Sequence, residues 1–323
     1  MNTDFINQIF QCNSEKKFNE LALQAFDFQK EKNLIYKQYI TLIGKSNAPK
    51  DYYDIPFLPI ELFKTKKIIC ENQKVETIFK SSGTEGEKSQ HFIANCSVYK
   101  QSFLTCFNYF YSNIEDYCIL ALLPSYKEQK NSSLIYMTDE LIKKSKHKES
   151  GYYLKNYEEL ASTLEKLETK GKKTILFGVT YALLDFAKSF PQKLKNTIIL
   201  ETGGMKGKRK ELPKEEVHDK LKTAFQIKNI HSEYGMTELL SQAYSKGNNI
   251  FKTPKWMRVL IRDINDPLST NKKSGGLNII DLANIFSCPF IATQDMGRLY
   301  HNNSFSISGR INNADIRGCN LLV

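Results

Sequence analysis

Three short apolar runs set the terms for this fold: residues 117–123 (YCILALL), 174–177 (TILF) and 197–200 (TIIL). A strand that is apolar at nearly every position must be covered on both faces, as strands are in a parallel sheet wrapped by helices. The stretches between the runs supply the helices. Leu160, Leu164 and Leu167, set among Glu and Lys, make one such apolar stripe. Strand–helix–strand alternation of this kind predicts an α/β fold, with a mostly parallel sheet and flanking helices. Upstream, Phe18, Leu21, Ala22, Ala25 and Phe26 repeat at the spacing of a helix face, and Ser14 stands where an N-cap belongs. The segment 54–59, with Pro56 and Pro59, cannot continue a helix. Beyond about residue 250 the texture changes. Short apolar segments at 257–261, 277–280, 290–293 and 305–307 are punctuated by Pro254, Pro267, Gly275, Gly276, Gly297 and Gly309. That pattern predicts antiparallel strands. We therefore expect an α/β region over residues 1–250 and a β-rich subdomain over 251–323.

The chain has 323 residues, of which 41% are apolar, so it has ample material for a core. No run approaches the roughly 20 apolar residues of a membrane-spanning helix. The start, Met1-Asn2-Thr3-Asp4, lacks the basic and apolar regions of a secretory signal. Seven cysteines, odd in number and without a C-x-x-C pair, argue against a disulfide framework or a structural zinc site. These features predict a cytoplasmic protein. The net charge of +11 comes from lysines spread along the chain with no nucleic-acid module among them. It reads as a solvated basic surface that favours anionic ligands such as ATP, and no nucleic-acid partner is expected.

Chemistry concentrates first in Ser81-Ser82-Gly83-Thr84-Glu85-Gly86-Glu87-Lys88-Ser89. Hydroxyls and closely spaced glycines suit a loop whose backbone N–H groups converge on phosphate oxygens. The spacing is not that of a Walker A loop, since Glu87 separates Gly86 from Lys88. Taken alone, the segment reads equally well as a flexible surface turn.

The wider pattern resembles the adenylate-forming superfamily of acyl- and aryl-CoA ligases, adenylation domains and luciferases, and within it the acyl-protein synthetase (LuxE) branch. Ser81, Ser82, Gly83, Thr84 and Gly86 match the family's S-S-G-T-T-G phosphate loop, with Glu85 in place of the second threonine. Gly203-Gly204-Met205 stands where the family has its adenine-contacting Gly-Gly-Ala segment. Tyr234-Gly235-Met236-Thr237-Glu238 matches Y-G-x-T-E. The resemblance implies that Tyr234 stacks on adenine, Thr237 reaches the α-phosphate and Glu238 helps to hold magnesium. Thr293-Gln294-Asp295 stands where the family has T-G-D, whose aspartate binds the ribose hydroxyls, and Gly309-Arg310 matches the glycine-arginine at the edge of the large domain. The motifs occur in family order from about residue 50 onward. Read one at a time they have plainer meanings: Tyr234 as a core aromatic, Glu238 as a solvated acid at a helix start, Asp295 as a turn residue.

The resemblance thus implies an enzyme that uses ATP and Mg2+ to convert a carboxylic acid, on family grounds a fatty acid, into an acyl-adenylate and passes the acyl group to a thiol. Residues 1–250 would form the adenylate-binding region, and 251–323 would end at the family's hinge position. Relatives continue into a mobile domain bearing a catalytic lysine, and the sequence stops at Val323, so that lysine is not expected here. In the LuxE branch a cysteine near the C-terminus accepts the acyl group, and Cys319 in Arg317-Gly318-Cys319 fits that pattern. A thiolate is a good nucleophile, and a nearby guanidinium lowers its pKa. The competing reading of Cys319 is a small buried hydrophobe. Two alternatives remain open: a ligase that releases the acyl group to an acyl carrier protein, CoA or a reductase, and a non-catalytic nucleotide-binding regulatory protein. His91 and His231 flank the two motifs as possible phosphate contacts or proton shuttles, although a packing or surface role suits each better. Residues 123–126 and 131–133 end a buried strand and are candidates to line the acyl pocket.

Overall fold

The computed structural model describes residues 3–81, 87–125, 128–203, 212–270 and 272–311. Three helices come first: α1 (Thr3–Phe10), α2 (Glu15–Lys32) and α3 (Leu34–Leu42). Ser14 caps α2 as its position predicts, its hydroxyl accepting the Lys17 N–H at 3.2 Å. The stripe Phe18, Leu21, Ala22, Ala25 and Phe26 is fully buried. A short strand β1 (Leu58–Pro59), helix α4 (Leu62–Thr65), hairpin strands β2 (Thr77–Lys80) and β3 (Gln90–Ile93), and helix α5 (Cys96–Tyr111) follow.

The alternating part of the chain then runs β4 (Cys118–Leu122), α6 (Ser133–Ser145), β5 (Gly151–Tyr152), α7 (Tyr157–Thr169), β6 (Thr174–Val179), α8 (Thr180–Ser189), β7 (Thr197–Thr202), α9 (Lys214–Phe225) and β8 (His231–Tyr234). Every residue of β4 and β6 is buried, as a strand covered on both faces requires. The last stretch is all strand apart from one short turn of helix: β9 (Ala243–Ser245), β10 (Phe251–Lys252), β11 (Met257–Arg262), β12 (Ser274–Asp281), β13 (Phe290–Leu299) and β14 (Phe305–Arg310). No described helix is long and apolar enough to cross a membrane.

One sheet takes in both textures, in the order β11-β12-β13-β14-β10-β9-β8-β7-β6-β4-β5. The fold is α/β. From β5 to β8 neighbours run parallel, and from β8 to β11 they run antiparallel. The change of direction falls at β8. The proline-marked segment yields β1, which pairs in parallel with β13, Leu58 opposite Ile291. A run of two residues has too little periodicity to be read in advance.

β13 and β14 pair with a register shift between Met296 and Gly297. A side chain on Gly297 would bring its Cβ to 2.1 Å from the Ser306 carbonyl oxygen, so only glycine fits. We expect Gly297→Ala to lower stability by about 1–3 kcal/mol, read as a fall in the urea midpoint with unchanged slope. An unchanged midpoint would mean that the two strands part at no cost.

Candidate functional site

Ligands of open α/β sheets bind beyond the carboxyl ends of the parallel strands. β6, β7 and β8 run parallel, so their carboxyl ends lie at one end of the sheet. Most strands of the parallel half are apolar, but β8 reads His-Ser-Glu-Tyr and is nevertheless largely buried. Its polar groups are matched from neighbouring elements. Ser232 Oγ lies 3.3 Å from His218 Nε2 on α9. The Thr202 hydroxyl at the end of β7 donates to the Glu233 carboxylate. Gly235 follows, where a Cβ would stand 2.4 Å from Glu233 Oε1 and push that side chain aside.

The Tyr234 hydroxyl donates to Asp295 Oδ2 at 2.7 Å, and Arg310 Nε donates to Asp295 Oδ1 at 3.2 Å. Asp295 and Arg310 are cross-strand partners on β13 and β14. The carboxylate therefore joins β8 to the antiparallel half. Thr293, Gln294 and Asp295 lie within strand β13, so the turn reading of Asp295 is corrected by the structure. Thr293 Oγ1 accepts the Asp295 N–H at 3.1 Å and donates to the Leu277 carbonyl at 3.0 Å, which fixes the start of the segment. The buried Arg262 guanidinium donates to the carbonyls of Leu277 and Thr293 and to Asn278 Oδ1. The Tyr234 ring packs edge-on against Phe251 and Phe305. Burial and the Asp295 charge hold its hydroxyl far above the usual tyrosine range.

Glu238 is 5% exposed and lies in a turn, so the reading of it as a solvated acid at a helix start is also corrected. Burial pushes its carboxyl up, and the Ser89 hydroxyl beside it favours the charged form. That contact brings Ser89, which follows the glycine-bearing segment in the chain, to the Tyr234 motif. Ser81 and Ser89 close the base of the loop: Ser81 N–H donates to the Ser89 carbonyl, and Ser89 N–H to Ser81 Oγ, both at 3.1 Å. Gly203, left-handed at φ 68°, ends β7 beside β8, and its carbonyl accepts the Thr180 hydroxyl at 2.6 Å. Ser81, Gly203, Tyr234, Gly235, Met236, Thr237, Glu238, Asp295 and Arg310 thus gather at one end of the sheet. Ser82, Gly83, Thr84, Gly86, Gly204, Met205 and Cys319 lie outside the described residues.

Sequence reasoning missed the supports of this site. The backbone after Glu238 is pinned by buried Asp281, which accepts from Leu240 N–H (2.8 Å), Ser241 N–H (2.9 Å) and Ser241 Oγ (2.6 Å). Burial pushes the Asp281 carboxyl up, and these donors work against that. Glu201, fully buried on β7, takes Thr180 and Lys214 as partners. The signal available was the polarity of β8 inside an otherwise apolar series of strands. His231, grouped with His91 by its nearness to the motif, begins β8 at the far end of the strand and meets the Tyr111 hydroxyl at 3.2 Å. A groove of about 1010 Å3 between α8 and α9, lined by Leu184, Ala187, Leu212 and Pro213 among others, contains none of the gathered residues. Among the described residues no three His, Cys, Asp or Glu side chains cluster as a protein-held metal would need.

Comparison with known proteins follows the same lines. A family profile described as "Acyl-protein synthetase, LuxE" matches residues 8–323. The chain is 33% identical over 72 residues to a "Long-chain-fatty-acid--luciferin-component ligase" of Vibrio harveyi, a match covering 22% of this chain and 19% of that protein. Among solved structures it is similar to a 2-hydroxyisobutyryl-CoA ligase (TM-score 0.62, 11% identity, 94% of this chain and 70% of that one). It is also similar to ATP-bound MatB from Rhodopseudomonas palustris (TM-score 0.55, 13% identity, 73% of this chain). The matched region spans 48% of the MatB chain. At such identities the structural likeness shows the fold.

Three buried or half-buried histidines give stability a pH dependence. Burial pushes His91, His218 and His231 down to about 4 from an ordinary value near 6.5. Above pH 6.5 folded and unfolded chains are alike neutral at these rings, and stability is at its full value. As pH falls from 6.5 towards 4 the unfolded chain binds protons that the folded rings refuse, so stability is lost across that window. For fully buried His91 the loss reaches about 3 kcal/mol. The urea midpoint should drop steeply between pH 6.5 and 4, and a flat profile there would contradict neutral buried rings.

Proposed function

The chain belongs to the acyl-protein synthetase family, LuxE, and on that premise we propose that it activates a carboxylic acid with ATP and hands the acyl group to a thiol. The observation that carries the proposal is the gathering of Ser81 and Ser89, Gly203, Tyr234, Glu238, Asp295 and Arg310 about the carboxyl end of β8. In the reaction a carboxylate oxygen of the acid attacks the α-phosphorus and pyrophosphate leaves. A thiolate then attacks the acyl carbon and AMP leaves. The first step needs the triphosphate charge offset and its geometry held in line.

Each gathered residue has a part. Asp295 presents a carboxylate to the ribose hydroxyls, with Tyr234 and Arg310 fixing its two oxygens. The Thr237 hydroxyl serves the α-phosphate, and backbone amides of the 81–86 loop serve the remaining phosphates. Glu238 suits magnesium better than a metal that demands a full protein cage, because magnesium takes one or two carboxylates with phosphates and water. Bound there, the ion would offset phosphate charge. The name of the Vibrio harveyi relative supports a long-chain fatty acid as substrate. Cys319, an acyl carrier protein, CoA or a reductase would supply the accepting thiol. Residues 1–250 then carry the phosphate loop and the Tyr234 motif, and 251–323 the ribose carboxylate and Arg310.

Acid-dependent exchange of labelled pyrophosphate into ATP, over a panel of acids, tests adenylation directly. We expect exchange with fatty acids and a loss of about a hundredfold in Glu238→Gln. Asp295→Ala should raise the KM for ATP by about tenfold or more through loss of hydrogen bonds to a charged group. ATP binding without exchange on any acid would favour a regulatory nucleotide-binding protein instead. Mass analysis for hydroxylamine-labile acylation then separates the acceptors: exchange with no acylated cysteine removes Cys319 from the scheme and leaves a separate carrier.

A further inference from the structure

β3 leaves the glycine-bearing loop at Ser89 and, two residues later, buries His91 completely. Nothing in the reaction above uses this ring. Its Nδ1 lies 2.8 Å from the carbonyl oxygen of Thr237, and its Nε2 lies 2.9 Å from Asn284 Oδ1. Asn284 donates both amide protons elsewhere, to the carbonyls of Glu238 (2.8 Å) and Cys288 (2.9 Å). Phe63 meets the imidazole edge-on. The ring and the amide therefore hold the consecutive carbonyls of Thr237 and Glu238, the two residues assigned to phosphate and metal. The Glu238 side chain is met by Ser89, from the same strand entry that carries His91.

A main-chain carbonyl only accepts hydrogen bonds, and a neutral imidazole carries one proton. That proton can serve Thr237 or Asn284, but not both; on Nδ1 it meets the Thr237 carbonyl, and Nε2 then faces Asn284 Oδ1 as an acceptor–acceptor contact that the packing around the ring has to hold. Turning the Asn284 amide over would set its oxygen against two carbonyls, so the amide stays as described. An apolar side chain would fill the slot but leave the Thr237 carbonyl without this donor.

We propose that His91 is a positioning residue for acid activation, carrying its proton on Nδ1 and locking the Thr237–Glu238 peptide in register with Ser89. The inference rests on the function proposed above and goes beyond it by assigning a group that touches neither nucleotide nor acid. Displacing this ring shifts the Thr237 hydroxyl, the Glu238 carboxylate and the loop base relative to one another. In-line attack is sensitive to shifts of that size.

Two near-isosteres separate the contacts. His91→Asn places an amide N–H where Nδ1 stands, and His91→Gln places one where Nε2 stands. In the pyrophosphate exchange assay we expect H91Q to lose about tenfold or more in kcat and to need more Mg2+ for half-maximal rate, with the KM for ATP changed less. H91N should recover most of that loss at a similar melting temperature. Equal losses in both variants, or losses that follow melting temperature alone, overturn the positioning role, as does H91Q with wild-type kcat and Mg2+ dependence. Imidazole 15N shifts of the wild-type protein give a readout that no variant's folding can obscure, and an Nε2–H ring would overturn the assignment. The wild-type exchange rate keeps the two readings apart. Its absence removes the enzymatic reading and this inference with it, whereas robust exchange that is insensitive to H91Q removes this inference alone.

Discussion

The site depends on β8 remaining polar while it is buried near the middle of the sheet. A buried polar group has to be hydrogen-bonded or its desolvation goes uncompensated. His218 answers Ser232, Thr202 answers Glu233, and Asp295 answers Tyr234. Those partners arrive from α9, β7 and β13. The need to satisfy one strand therefore draws the parallel and antiparallel halves together where the sheet changes direction.

The same logic continues past the end of the strand. The turn after Tyr234 has no ladder of its own, so its backbone groups are met by side chains reaching in from elsewhere. His91 and Asn284 meet the carbonyls of Thr237 and Glu238, and Asp281 meets the N–H groups of Leu240 and Ser241. Trp256 Nε1 donates to Ser241 Oγ at 2.8 Å, and Ser102 shares that hydroxyl at 2.9 Å. A turn anchored at so many points by buried groups can hold a carboxylate and a hydroxyl in fixed relation, which preorganised chemistry requires.

Glu238 and Asp295 show how context rewrites a residue. Their neighbours in the chain suggest a solvated acid and a turn aspartate. In the fold Glu238 is enclosed with Ser89, and Asp295 sits mid-strand between Tyr234 and Arg310. His91 and His231 looked alike from the sequence because each precedes or follows a motif by a few positions. β8 carries His231 to its far end, against Tyr111, while β3 carries His91 under the Thr237 carbonyl.

What the sequence determined alone was whatever repeats over a few residues. The apolar runs at 117–123, 174–177 and 197–200 became β4, β6 and β7, and Ser14 capped α2, because side-chain period and capping act between near neighbours. The motif residues stand out in the sequence by their order, and the fold brings Tyr234, Asp295 and Arg310 into contact. Only the tertiary structure decided that β1 would join β13, that His91 and Asn284, 193 residues apart, would share a contact, and that Glu238 would be enclosed. Pairings at that range leave no local periodicity. They exist only once the chain has closed on itself and each buried donor has to find its acceptor.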